Sequence, residues 1–287
     1  MHPILFEVPG MGYRITGYGL MFLLACSGAL WLTAWRAKRE GLDPEAVYEL
    51  AIWIFCGGVV GARTVYVIQN PGEMKSVADI FKVWQGGIVF YGCIFGGLIG
   101  TAIAWYRKPF PFLKMADAVA PALAWGAGIG RLGCFLNGCC YGDSCQLPWA
   151  VSFPRLSPPW SHHYALGLIG PNAPYSLPVH PTQLYSAVDA FILFLLLSAY
   201  FPLRKRDGEV MGLLVICYPI TRFLIEILRN DEGVFILGLT ISQTISVSLF
   251  ATGLLYWAWL SRLPKTLYRD QAPAPEPHAP LVASAQP

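Results

Sequence analysis

Apolar residues run along this chain in long blocks, and the polar positions gather in short stretches between them. A helix crossing a bilayer core needs about 20 apolar residues. Runs of that scale fall at 17–35, 46–68, 88–106, 116–130, 182–201, 210–228 and 238–260. The fourth is short and glycine-rich, so its end is the least defined boundary. The pattern predicts an all-α integral membrane protein with seven transmembrane helices in one polytopic domain, residues 1–268. Between spans four and five a long segment, about 131–181, leaves the membrane, and its Asn137, Gly138 and Gly142 predict turn-like backbone over 131–145. The Pro- and Ala-rich stretch 269–287 cannot bury apolar area and predicts a disordered tail.

Three local patterns refine this reading. Gly92-x-x-x-Gly96-x-x-x-Gly100 is the small-residue spacing that lets helix backbones approach closely. Leu23-Leu24-Ala25-Cys26 looks like a lipidation box, but its apolar run continues to Trp35 and ends in Arg36-Ala37-Lys38-Arg39. A signal peptide carries its positive charge before the run, so an uncleaved first span is expected. Gly128-Ile-Gly130-Arg-Leu-Gly133 has dinucleotide-turn spacing, yet that motif needs a preceding strand, and here the glycines follow an apolar helix.

Composition agrees with the pattern. Of 287 residues, 55% are apolar and 13% charged, against about 25% charged in soluble domains, and mean hydropathy is +0.49. A cytosolic enzyme and a nucleic-acid binder are both excluded, and a net charge of +3 is too small to imply a polyanionic partner. Placement of charge says more. Arg36, Lys38 and Arg39, then Arg107, Lys108 and Lys114, then Arg204, Lys205 and Arg206, then Arg262, Lys265 and Arg269 put twelve basic residues on one side. The other side holds Arg14, Lys75, Lys82, Arg155 and Arg229, with Arg131 at its edge. The excess marks the first side as cytoplasmic, which predicts an outside N-terminus and a cytoplasmic C-terminus.

Charges inside the spans are the sharpest chemical signal, because each costs roughly 2.5–3.5 kcal/mol at a helix centre. Arg222 and Glu226 lie four apart on one face of the sixth span, with Arg229 one turn further. Arg131 stands beside Gly130 and Gly133, where the backbone is open enough for a head group to approach. Arg63 either snorkels or pairs within the bundle. Guanidinium forks bind phosphate bidentately at every relevant pH, so a phospholipid head group is the natural ligand. Arginine alone does not separate an enzyme from a lipid transporter.

Four of the eight cysteines, Cys134, Cys139, Cys140 and Cys145, fall within twelve residues on the outward side. Their C-x4-C-C-x4-C spacing lacks the close pairs of most zinc sites, although His162, His163 and His180 offer further ligands. No metal and no cofactor are expected; a disulfide and simple packing both remain open.

Gly130-Arg-Leu-Gly-Cys-Phe-Leu-Asn-Gly-Cys-Cys-Tyr-Gly142 resembles the signature of the prolipoprotein diacylglyceryl transferase family, Gly-Arg-x-Gly-Asn-Phe-x-Asn-x-Glu-x-x-Gly. The resemblance extends over about residues 14–260 and takes in Tyr18-Gly-Leu-Met, Trp84-x-Gly-Gly, His180-Pro-Thr-Gln-Leu-Tyr185 and Arg222-x-x-x-Glu226-x-x-Arg229. It implies a multi-pass enzyme of the bacterial inner membrane. Such an enzyme moves diacylglycerol from phosphatidylglycerol to the lipobox cysteine of a prolipoprotein, forming a thioether and releasing glycerol-1-phosphate. The matching positions are Tyr18, Arg131, Asn137, Gly142, His180, Arg222 and Glu226. On this reading Arg131 and Arg222 clamp the phosphate, Tyr18 and Asn137 orient head-group hydroxyls, and Glu226 positions Arg222. Tyr91 or His180 takes the thiol proton.

Four positions depart from the family pattern. Cys134 and Cys139 replace its Asn and Glu, and Phe90-Tyr91-Gly92-Cys93 replaces its Phe-His-Gly-Gly. Tyrosine titrates near 10 against about 6.5 for histidine, so Tyr91 works as a base only if an arginine pulls it down. Two other readings stay open: a family-derived lipid-binding or transport protein without transferase activity, and a membrane thiol-redox or metal-handling protein built on Cys134 to Cys145.

Overall fold

The computed structural model describes residues 4–7, 14–74, 76–81, 86–87, 89–229, 234–236 and 238–266. Trp84 of the Trp-x-Gly-Gly motif and the expected tail 269–287 lie outside the described residues. The fold is mostly helical. Each of the seven apolar runs forms a helix: α1 Gly17–Arg39, α2 Pro44–Gln69, α4 Phe90–Arg107, α5 Phe112–Asn137, α7 Thr182–Tyr200, α8 Glu209–Glu226 and α9 Ile241–Leu260. Two short helices, α3 Val77–Phe81 and α6 Pro158–Ala165, lie in the connections. Among the described residues, four helical stretches are long and apolar enough to cross a membrane, namely Gly17–Arg39, Pro44–Gln69, Phe112–Asn137 and Thr182–Leu203.

Local chemistry sets the helix starts. Thr16 caps α1 by accepting from the Gly19 N–H at 3.1 Å, and Asp43 caps α2 ahead of Pro44 by accepting from Glu45 N–H at 2.9 Å. Thr240 and Gln243 form a reciprocal capping box at the start of α9. Two antiparallel hairpins feed these caps. Strand β1 Ile4–Glu7 pairs with β2 Arg14–Thr16 before α1, and β3 Val234–Ile236 pairs with β4 Leu239–Thr240 before α9.

Packing is through small residues. The glycine ladder of α4 lies against Gly57 and Gly61 of α2, so closely that a Cβ on Gly96 would overlap the Gly57 carbonyl and one on Gly100 the Trp53 carbonyl. Elsewhere α1 packs on α5, α5 on α7, and α8 on α9. The buried apolar set is dominated by alanines, among them Ala37, Ala46, Ala62, Ala104, Ala118, Ala120 and Ala122, while Phe22, Leu23, Phe95, Leu98 and Leu255 face outward. That inverts the arrangement of a water-soluble core and suits a lipid surround, where close backbone contact replaces the hydrophobic effect between helices.

A charged network closes one end of the bundle. Arg204 is buried, bonds Glu40 at the end of α1, lies 3.4 Å from Asp117 of α5, and donates to the Phe201 carbonyl at 2.8 Å. Asp117 in turn accepts from the Gly208 and Met211 N–H groups at 2.8 and 3.0 Å, fixing the entry of α8. The α1 C-terminus, α5 N-terminus and α8 N-terminus therefore meet here, and the α5 C-terminus and α8 C-terminus come together at the opposite end with the start of α7.

Candidate active site

The site-bearing end departs from expectation in one respect. Residues 131–137 are not turn-like; they are the last two turns of α5, so Arg131 sits within the helix rather than at its close. The glycines do not break it because Gly133 is a contact point, where a Cβ would press on Met21 and Tyr18 at 3.1 and 3.3 Å. The helix stops at Asn137. Gly138 adopts φ +75°, and the Cys139 N–H returns to the Cys134 carbonyl at 3.2 Å. The dinucleotide-like glycine pattern lies wholly inside this helix, without the strand that a nucleotide turn requires.

Beyond the helix the chain forms a strap pinned from both flanks. Thr182 Oγ1 donates to the Cys140 carbonyl and Gln183 Nε2 to the Cys139 carbonyl, each at 2.8 Å, and both side chains are buried at the start of α7. The Gln183 Oε1 has no partner among the described residues. Gly142 N–H donates to the His180 carbonyl at 2.9 Å, His180 N–H to Asp143 at 2.9 Å, and Asp143 N–H to the Leu228 carbonyl at 2.9 Å. Any side chain at position 142 would collide with Leu228, His180 and Thr182 at 2.6–2.8 Å, which explains why glycine stands there. Cys140 holds φ +59°, a conformation costing a non-glycine residue on the order of 1–2 kcal/mol. The Thr182 and Gln183 anchors hold it there.

On α8, Arg222 bonds Glu226 through Nη1 and donates to Ser242 Oγ of α9 at 2.9 Å through Nη2. Glu226 is fully buried, receives the Thr240 hydroxyl at 3.5 Å, and lies 3.9 Å from Arg229 Nε. The four-residue spacing read from sequence thus forms a real pair, with two arginines on one carboxylate. Arg131 and Arg229 both lie within Coulombic reach of the Cys140 thiol, and Tyr18, about half exposed, lies within reach of Arg131 and three thiols. Hydrogen bonds from Cys134 and Cys139, reinforced by Arg229 and Arg131, pull the Cys140 thiol below the ordinary thiol range despite its burial. All eight cysteines are thiols.

The two candidate bases differ in setting. His180 Nδ1 faces Tyr185 Oη at 3.4 Å, and that hydroxyl accepts from Trp149 Nε1 at 2.7 Å. Tyr91 stands in the first turn of α4, 44% exposed, on the helix pair α2–α4. Arg63 does not snorkel; its guanidinium lies 5.1 Å from the Tyr66 ring centroid, and it forms no ion pair among the described residues. It is buried and donates to the carbonyls of Asp79, Ile80, Gly86 and Gly87, tying the connection after α2 to the bundle. Asn137 is exposed at the helix end. A cavity of about 200 Å³ opens beside Gly142, lined by Tyr141, Asp143, Ser144, His162 and His163.

Comparison with known proteins decides what this arrangement belongs to. The family model described as prolipoprotein diacylglyceryl transferase matches residues 3–259. The chain belongs to that family. A relative from Clostridium tetani, named phosphatidylglycerol–prolipoprotein diacylglyceryl transferase, is 35% identical over 254 residues, covering 88% of this chain and 96% of that protein. Relatives of the same name from Aeromonas salmonicida and Vibrio cholerae are 32% and 33% identical, covering 91% and 95% of this chain and 90% and 95% of their own lengths.

Several contributors were missed from the sequence of this transferase-family chain. Thr182 and Gln183 lie in the same motif as His180, but nothing in the spacing shows that they reach back 42 and 44 residues to the strap. Ser242 is one of many hydroxyls on α9, and only the packing of α9 on α8 brings it to Arg222.

Proposed function

We propose that this protein transfers the diacylglyceryl group of phosphatidylglycerol to the cysteine thiol of a prolipoprotein lipobox, as a seven-span protein of the bacterial inner membrane. Its N-terminus faces outward and its C-terminus the cytoplasm. The reading rests most heavily on one observation: within a chain matching the family from 3 to 259, Arg222 and Arg229 gather around the buried carboxylate of Glu226 at the same end as Arg131.

In the reaction the thiol proton leaves to a base and the sulfur attacks the glyceryl carbon that carries the phosphate ester. A C–S bond forms, the C–O bond breaks with its electron pair on oxygen, and glycerol-1-phosphate departs. Negative charge on the phosphate grows as that bond breaks, so guanidinium groups facing it stabilise the transition state more than the ground state. Arg131 and Arg222 supply this clamp. Glu226 and Ser242 hold the Arg222 fork, while Tyr18, Asn137 and the close backbone at Gly142 orient the head group. His180, braced by Tyr185, is the nearer proton acceptor to the strap, and Tyr91 is the alternative from α4.

The deciding experiment supplies the purified protein in phosphatidylglycerol-containing membranes with a lipobox peptide and follows the peptide mass. A diacylglyceryl gain with release of glycerol-1-phosphate is expected. Folded protein that binds phosphatidylglycerol and leaves the peptide unmodified would turn the assignment to lipid binding alone.

A further inference from the structure

The Sγ atoms of Cys134, Cys139 and Cys140 lie within 4.8 Å of one another, half-buried at the end of α5. In sequence these positions give little sign of a metal, because the C-x2-C pair of many zinc sites is absent. The backbone creates the convergence. The left-handed turn at Gly138 reverses the chain over the last turn of α5, and the positive φ of Cys140 returns its residue to the same spot. Thr182 and Gln183 then hold both carbonyls of the turn, so the three sulfurs are positioned by buried side chains rather than by a loose loop.

We infer that Cys134, Cys139 and Cys140 form a three-thiolate site for a soft d10 cation, Cu(I) fitting best. Three sulfurs around one ion at about 2.3 Å stand about 4 Å apart, a spacing that thiols already within 4.8 Å of one another can adopt. Thiolate donors select Cu(I) and zinc among common cations, and zinc ordinarily closes its shell with a fourth ligand. Charge favours the monovalent ion as well. Three thiolates and one Cu(I) carry two net negative charges, and Arg131 and Arg229 supply two positive ones within Coulombic reach. A disulfide would consume two sulfurs and leave the third, whereas a trigonal ion uses all three. Two of the three ligands, Cys134 and Cys139, stand where the family signature carries Asn and Glu, so the site is a property of this chain rather than of the signature.

The test uses the full-length protein in detergent, fully reduced and anaerobic, titrated with Cu(I) against a chromophoric Cu(I) chelator. One equivalent bound per chain is expected, with an ultraviolet thiolate-to-copper charge-transfer band. Cys145→Ser should bind as the wild type does, and the Cys134→Ser/Cys139→Ser/Cys140→Ser variant should not bind. In case that variant misfolds, maleimide labelling of the wild type, mapped by mass spectrometry, gives a second readout. Bound Cu(I) should protect these three cysteines and leave Cys145 labelled. Substoichiometric uptake by folded wild type, uptake surviving in a folded triple variant, or equal labelling with and without Cu(I) would each overturn the site. Zinc bound in preference to Cu(I) would overturn the monovalent assignment.

Discussion

At the residue scale, Glu226 is where two arginines converge, and it is 1% exposed. Removing one member of a buried pair leaves the other charge uncompensated, which typically costs about 3–5 kcal/mol. Glu226→Gln is therefore expected to lower the thermal unfolding midpoint in detergent markedly and to reduce transfer, because Arg222 loses the group that aims it. An unchanged midpoint would show that Arg222 and Arg229 find other anions. Arg131→Lys isolates a different property, since it keeps charge and removes the planar fork. A fall in kcat/KM of at least about tenfold, worth ~1.4 kcal/mol of transition-state stabilisation, is expected in the mass assay. Wild-type turnover in that variant would remove the clamp from the mechanism.

At the scale of elements, the α2–α4 interface and the strap after α5 respond to different perturbations. Gly96→Val places branched carbon where the Gly57 carbonyl now sits. Overpacking of that kind costs typically 1–3 kcal/mol, so a loss of about 2 kcal/mol in reversible unfolding is expected, with Gly72→Val, which meets open space, as the neutral control. The strap carries a pH dependence through His163. Its ring is 4% exposed, and its Nδ1 accepts from the Leu177 N–H at 3.2 Å, a bond that only the neutral ring can accept in this way. Burial first, and then the neighbouring His162, hold its pKa below the ordinary histidine value. A depressed histidine stabilises the fold fully above the unfolded value near 6.5, and that contribution is lost as pH falls from there through the folded value. Proteolysis of segment 138–181 should accelerate as pH falls below about 6.5, and His163→Asn should flatten the change. Equal cleavage above and below that pH in the wild type would contradict it.

At the scale of the whole molecule, the distribution of basic residues makes the orientation testable. Phosphatase fusions placed after Lys108, Lys205 or Lys265 should be inactive, and one placed after Leu166 active, because only the outward face supports that reporter. Activity at any of the first three sites would reverse or break the seven-span topology. The network of Glu40, Asp117 and Arg204 gives its end of the bundle a structural role of its own, since it joins α1, α5 and α8 through buried ion pairs and backbone donors.

Much of this was written in one dimension. The seven helices follow from apolar run length, which needs no tertiary partner to be read, and the Arg222–Glu226 pair follows from helical spacing alone. The glycine ladder announced close helix contact in the same way, although not that α2 would be the partner. What local pattern could not reach was contact between distant segments. The helical continuation through Arg131 depended on Tyr18 and Met21 packing over Gly133, and the strap depended on Thr182 and Gln183 arriving from α7. The three thiols were separated by spacing that looked wrong for a metal until two positive-φ residues folded them together. Sequence determines periodicity and local bonding because those act within a turn or two. The meeting of side chains 40 or more residues apart is decided only when the helices have packed.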